Sequence, residues 1–413
     1  MTKTDVMQAA FRVWGREFYA HTSLSHVASE LGVCKPALYR HFINKQALLD
    51  AMTKHFFDDF AAFVRPDYEK AMQNENSTTS VFMFIHSVAE YYARNVHIFI
   101  FAMIKLHDRE LSGVKVYKEF RAKGIDLELF SQWIREKYNI HPLILRLCFA
   151  TLTFCMAEFH KKEKSLEKPP SESAISRIIT VINAIIGQGL GYRDEEAELD
   201  YEKLEKQIAG TIHNLEDDPL LKAVASAVAE AGPWEASMEQ VARRSGLSKS
   251  SLYYHFESRQ DMLHQLFKTE SQRIIDFARQ GIRLSTVPQE QLYLGIFSIT
   301  EYLRAKPDIL ITLDWLRTRR PSLKPPKDEM DGPEYEFLWV FEEIDIEPLR
   351  HNECPFNKLP GKEKRISPWI LFLIAHTLMQ NSPGKMVHKV QNSDIRFLYR
   401  LVTLGIRGFE NGE

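Results

Sequence analysis

The sequence predicts an all-α protein made of two tandem copies of one helical unit. Three observations carry this. Apolar residues recur at helical spacing along the whole chain, as in Val6, Ala10 and Val13, in Leu48, Met52, Phe56 and Phe60, in Leu143, Leu147, Ala150 and Phe154, and in Ile395, Leu398 and Leu401. No series of alternating strands with hairpin turns is present. Residues 27–49, VASELGVCKPALYRHFINKQALL, align without gaps on residues 241–263, VARRSGLSKSSLYYHFESRQDML, with ten of 23 positions identical.

The copy continues more weakly beyond that segment. Tyr91, Arg94 and Ile98 lie in a stretch similar to that of Tyr302, Arg304 and Ile309, and each half ends in an apolar run closing on glycine, at Gly187 and Gly189 and at Gly405 and Gly408. A length of 413 residues suits two halves of roughly 200. The helical runs at their ends, residues 143–160 and 175–190 in one half and 368–379 and 395–409 in the other, are apolar on more than one face, as an internal four-helix interface requires. Residues 192–217 join the halves. They are rich in charge, yet Leu204, Ile208 and Ile212 fall four apart and Leu215 follows at three, so a helix lying along the body is expected rather than a flexible tether.

Within each copy three helices precede a longer one. Residues 4–19 and 218–231 form amphipathic first helices, Ser23 and Ser237 are suited to cap the second, and Ala28 and Ala242 allow close approach. Gly32 and Gly246 follow, where a tight turn needs positive φ. The third helix starts at Lys35 or Lys249, with Leu38 and Phe42, or Leu252 and Phe256, facing inward. This is a helix-turn-helix, whose last helix enters the major groove of DNA. Facing outward are Lys35, Pro36, Ala37, Tyr39, Arg40 and His41 in the first copy, and Lys249, Ser250, Ser251, Tyr253, Tyr254 and His255 in the second. Lys45 and Arg259 head the next helix. Lysine, tyrosine and histidine hold phosphates, and Arg40 suits a guanine edge.

The turn glycine, the pattern Leu-Tyr-x-His-Phe and a basic residue three positions on, written here as LYRHFINK and LYYHFESR, resemble the TetR family of repressors. The resemblance is specific over about 60 residues per half. It implies two tandem TetR-like units, each a three-helix DNA-binding domain followed by a helical ligand-binding and dimerisation domain, arranged as a pseudo-two-fold dimer. The expected domains are residues 1–47 and 48–191, a linker helix over 192–217, then 218–261 and 262–413. The residues just named would contact a double-stranded operator. Family members are mostly single-unit chains that dimerise, whereas this one carries both units; a dimer-like monomer is expected, with a homodimer of the chain as the other arrangement.

Several further expectations complete the reading. Repression of an asymmetric or imperfectly palindromic operator, relieved by a small apolar or aromatic effector, is the expected function; the alternative is a ligand-binding or protein-interaction module whose heads no longer hold DNA. A net charge of −2 gives no global pull toward nucleic acid, so contact rests on local cations. Residues 1–60 carry seven basic and six acidic side chains, net +1, and residues 215–270 carry six and nine, net −3, so the second head has the weaker electrostatic footprint. The aromatics of the larger domains, among them Phe82, Phe84, Tyr91, Tyr92, Phe99, Phe101 and Trp133, then Trp315, Phe337, Trp339, Phe341 and Trp369, are read first as core and second as the lining of an effector pocket. Cys34, Cys148, Cys155 and Cys354 form no CxxC pair and are read as buried small side chains, and His86, His97, His107, His141 and His160 lack metal-ligand spacing. No Walker loop, GxSxG, HExxH or dinucleotide glycine set occurs. Neither an enzyme nor a cofactor is expected. With no long apolar span and no secretory leader, the cytoplasm is the expected location.

Overall fold

A computed structural model describes residues 1–16, 22–74, 76–105, 113–138, 141–193, 198–210, 218–232, 236–312, 340–349, 355, 366–379 and 390–409. The first half runs α1 (Lys3–Arg16), α2 (Leu24–Glu30), α3 (Lys35–Tyr39), α4 (Lys45–Gln73), α5 (Ser77–Arg94), α6 (Val96–Lys105), α7 (Gly113–Ala122), α8 (Leu127–Tyr138), α9 (Ile144–Lys162) and α10 (Glu172–Gln188). The linker helix is α11 (Tyr201–Ala209). The second half runs α12 (Pro219–Ala231), α13 (Met238–Ser245), α14 (Lys249–Leu252), α15 (Arg259–Ile282), α16 (Pro288–Ala305), α17 (residues 307–312), α18 (Ile366–Leu378) and α19 (Asn392–Leu404). The fold is all-α, as the periodicity predicts.

The repeat is deeper than the sequence identity suggests. α5 and α16 are each 18 residues long and start 211 positions apart. At that same offset Tyr91 donates to Asp59 on α4 at 2.8 Å, and Tyr302 donates to Glu270 on α15 at 2.7 Å. A buried tyrosine clamped to a carboxylate on the long helix is thus present twice. The expected domain borders at 47/48 and 261/262 fall inside α4 and α15. No helix breaker occurs there, and Asn44 and Ser258 cap both helices just before, with Asn44 Oδ1 accepting from the Ala47 amide and Ser258 Oγ from that of Asp261. Each head is therefore joined to its body by an unbroken helix.

The halves close on each other through α9 and α10 against α18 and α19. Buried Trp369 donates its indole N–H to Thr151 Oγ1 at 3.1 Å, and His141 stacks on Phe397 while its Nε2 lies 3.1 Å from Asp394. At the centre Gly189 and Gly405, the C-caps of α10 and α19, meet reciprocally. A Cβ on Gly189 would lie 2.3 Å from the carbonyl oxygen of Val402, and one on Gly405 would lie 2.4 Å from the carbonyl carbon of Gly187. Both have positive φ, 55° and 68°. Equivalent residues touching each other's helices is the geometry of an isologous interface, here within one chain.

The linker helix is shorter than the expected segment. Gly210 ends it after nine residues. Leu204 and Ile208 are buried as their spacing predicts, on α16, whereas Ile212 and Leu215 lie outside the described residues. Of the cysteines, Cys148 and Cys155 are buried on α9, but Cys34 is exposed; this corrects its reading as a buried side chain, since it occupies the turn before α3. Cys354 lies outside the described residues.

Candidate nucleic-acid interface

Each head is held by one apolar nucleus. Val27, Ala28, Leu38 and Phe42 are buried in the first, and Val241, Ala242, Leu252 and Phe256 in the second, which fixes the third helix with its other face outward. Gly32 and Gly246 have φ of 65° and 71°, the left-handed turn anticipated for both. Ser237 closes a capping box with Gln240, each bonding the other's backbone amide. Ser23 occupies the same place without a side-chain bond, and with His26 three residues on it has no glutamine or glutamate to complete a capping box.

Most of the predicted contact residues are exposed on the third helix of each head and the turn that follows it. Lys35, Pro36, Tyr39 and Arg40 are exposed, with His41 half-buried beside them. Lys249, Ser250, Tyr253, Tyr254 and His255 are exposed, and Tyr254 is 92% accessible, an extent that no core role explains. Lys45 and Arg259 are half-buried at the first turn of α4 and α15. Burial pulls the Lys45 ammonium below the ordinary lysine pKa. Two residues depart from the expected outward face. Ala37 is 9% exposed and is buried next to Leu38 on α3. Ser251 is half-buried, with its hydroxyl 2.8 Å from that of Ser248, whose oxygen also accepts from the Ser251 amide.

Other side chains lie beside the motif without having been named among the contacts. Lys3, at the start of α1, places its ammonium 5.9 Å from the Phe42 ring centre, and Lys35 lies 6.0 Å from that of Tyr39. Asp5 is held below the usual carboxylate range by hydrogen bonds from Thr2 and, more weakly, by His41. Ile43 is 78% exposed next to the motif. The only sequence signal for Lys3 was a cation at the head of the first helix, and for Ile43 there was none. In the second head Arg243 is exposed, while Arg244 pairs with Glu230.

Most of the aromatic residues considered for an effector pocket are core. Tyr91, Tyr92, Phe99, Phe101 and Phe84 are buried, with ring centres mostly 5–6 Å from their neighbours. Trp369 and Phe341 are buried likewise, whereas Trp315, Phe337 and Trp339 lie outside the described residues. Phe82 differs: it borders a cavity of about 300 Å³ together with Thr180, Asn183, Ala184, Gln188 and Arg407. Among the described residues no helix is long and apolar enough to cross a membrane.

The family described as "Bacterial regulatory proteins, tetR family" matches residues 6–52 and again residues 220–266. Both matches run from within the first helix of a head to the start of the long helix behind it, in the register given by Gly32 and Gly246. With the DNA-reading unit present twice on one all-α chain, this protein carries in tandem two DNA-binding domains of the kind found in the tetR family, and is in that respect a TetR-like DNA-binding regulator.

Proposed function

We propose that the chain represses transcription by gripping one operator with both heads, and that a small effector releases it. The observation that carries the proposal is a pair of unlike recognition surfaces on a polypeptide whose halves meet through a reciprocal seam. Two such heads on one body suit two half-sites about one helical turn, roughly 34 Å, apart. The side chains differ where bases are read, with Arg40 against Tyr254 and Pro36 against Ser250, so an asymmetric or imperfectly palindromic operator fits best. In this reading the working unit is a single chain in the cytoplasm, and binding rather than catalysis is its activity.

An effector acts only through a difference in affinity between the DNA-competent and incompetent arrangements of the halves. Selection of bound duplexes from a random pool by the full chain tests the proposal. The expected outcome is one site with two unlike halves, each lost separately when Lys35→Ala or Lys249→Ala is introduced. Enrichment of a perfect palindrome with equal half-site energies, or no salt-sensitive binding at all, overturns it; the second result would leave a ligand-binding module. Mass measurement in solution separates the single chain from a homodimer with four heads.

A further inference from the structure

The cavity beside Phe82 has a counterpart in the other half, and the chain itself fills that counterpart. Aligning the C-cap glycines of α10 and α19 places Thr180, Asn183 and Ala184 at the positions of Arg396, Tyr399 and Arg400. The offset that aligns α5 with α16 places Phe82 at the position of Tyr293. In the second half these positions receive the linker helix. Glu205, 7% exposed, accepts from Arg396 Nε at 2.7 Å and Nη2 at 2.9 Å, from Tyr293 Oη at 2.6 Å, and from Asn392 Nδ2 at 2.7 Å. The Tyr201 ring lies 4.9 Å from Tyr293, 6.2 Å from Tyr399 and 5.4 Å from the Arg396 guanidinium carbon. A carboxylate and an aromatic ring therefore occupy the groove.

In the first half the equivalent groove is open, at about 300 Å³, roughly twice the ~150 Å³ of an apolar cavity that takes up benzene. Its chemistry is matched in kind. The Arg407 guanidinium carbon stands 5.9 Å from the Phe82 ring centre, and Arg407 makes no ion pair among the described residues. Asn183 contributes a buried side-chain oxygen with no hydrogen-bond partner, a group that is destabilising unless a ligand or water bonds it. Arg407 comes from the second half and the remaining residues from the first, so an occupant would touch both sides of the seam.

We propose that this groove binds a small organic carboxylate with a flat or aromatic body, the free-ligand equivalent of Glu205 and Tyr201 in the other half. Arg407 takes the carboxylate, Phe82 the ring, and Asn183 a hydrogen-bonding substituent. The proposal rests on the reading of the chain as an effector-controlled regulator, and it places the effector between the halves instead of inside either aromatic core.

The test is calorimetric titration of the full chain, without DNA, with benzoate, 4-hydroxybenzoate, phenylacetate and hexanoate, each paired with its neutral primary amide. At least one carboxylate is expected to bind tenfold or more tightly than its amide. Arg407→Gln should abolish that preference with the thermal midpoint of the free protein unchanged, and Ala184→Trp should block both ligands. A panel in which no carboxylate outbinds its amide overturns the proposal, as does a preference that survives Arg407→Gln or binding that survives Ala184→Trp. Operator binding is measured separately, so failure of the ligand arm leaves the DNA-binding reading standing and the reverse is equally visible.

Discussion

The two heads share a frame and differ in what they add to it. The first ties α1 to α2 through Arg12 and Glu30 at 2.9 Å; the second ties α12 to α13 through Glu230 and Arg244, with the charges exchanged. The first starts its recognition helix from Cys34 with no side-chain cap, and the second from Ser248, which bonds the Ser251 amide. Arg40 faces outward in one and Tyr254 in the other. What stays constant is the inward nucleus and the left-handed glycine; what changes is charge, capping and the reading face. Packing sets the shape twice over, and the surface has been free to diverge.

The seam, where both halves are pressed together, should be far less tolerant than either head. Gly405→Ala adds a Cβ 2.4 Å from backbone at a φ of 68°. A loss of roughly 3–4 kcal/mol in urea denaturation is expected from overpacking and backbone strain together. Gly32→Ala and Gly246→Ala meet open space, so only the positive φ resists them, and roughly 1–2 kcal/mol is expected. Equal losses at all three positions would break the contrast.

Glu205→Ala should come next, at about 2 kcal/mol, since charge-assisted bonds from Arg396, Tyr293 and Asn392 are lost together. Burial pushes the Glu205 carboxyl up in pKa, but those bonds outweigh it and hold the group below the ordinary glutamate value of 4.5. Its contribution is therefore complete above about pH 4.5 and fades as pH falls through the lower folded value. Denaturation between pH 5 and pH 3 should show that loss in the native chain and a flatter response in Glu205→Gln.

At the DNA surface, Lys35→Ala with Tyr39→Ala, or Lys249→Ala with Tyr253→Ala, should each weaken operator binding by roughly tenfold or more. Tyr254→Arg, which gives the second head the first head's cation, should shift the preferred base in the second half-site toward guanine. An unchanged base preference would mean that this position does not face a base edge. The smallest effect belongs to the exchanged ion pairs. Arg12→Glu alone should destabilise by about 0.5 kcal/mol, and Arg12→Glu with Glu30→Arg should recover most of it.

Much of the fold was legible because it rests on local signals that recur. The turn glycines, the pairs Leu38 with Phe42 and Leu252 with Phe256, and the glycine closures at Gly189 and Gly405 all follow from spacing and backbone chemistry. The capping box at Ser237 was visible in part, and Gly210 should have signalled the early end of α11. Ala37 was placed outward with its neighbours, and its burial beside Leu38 was not anticipated. The role of Glu205 could not be read: a glutamate in a run of charges looks solvated, and only the approach of α16 and α19 from distant sequence buries it. Arg407 and Asn183 were hidden for the same reason, since their neighbourhood is made by two segments more than 200 residues apart.

The crossing of Gly189 and Gly405 has a consequence for dosage. A regulator assembled from separate subunits loses paired heads as the square of its concentration once it is diluted below its dimerisation constant. In the single-chain working unit proposed above the pairing faces are covalently joined, so the fraction of paired heads is independent of how many copies a cell contains. Operator occupancy should then rise with the first power of copy number, down to the few molecules at which a self-associating repressor would already have come apart.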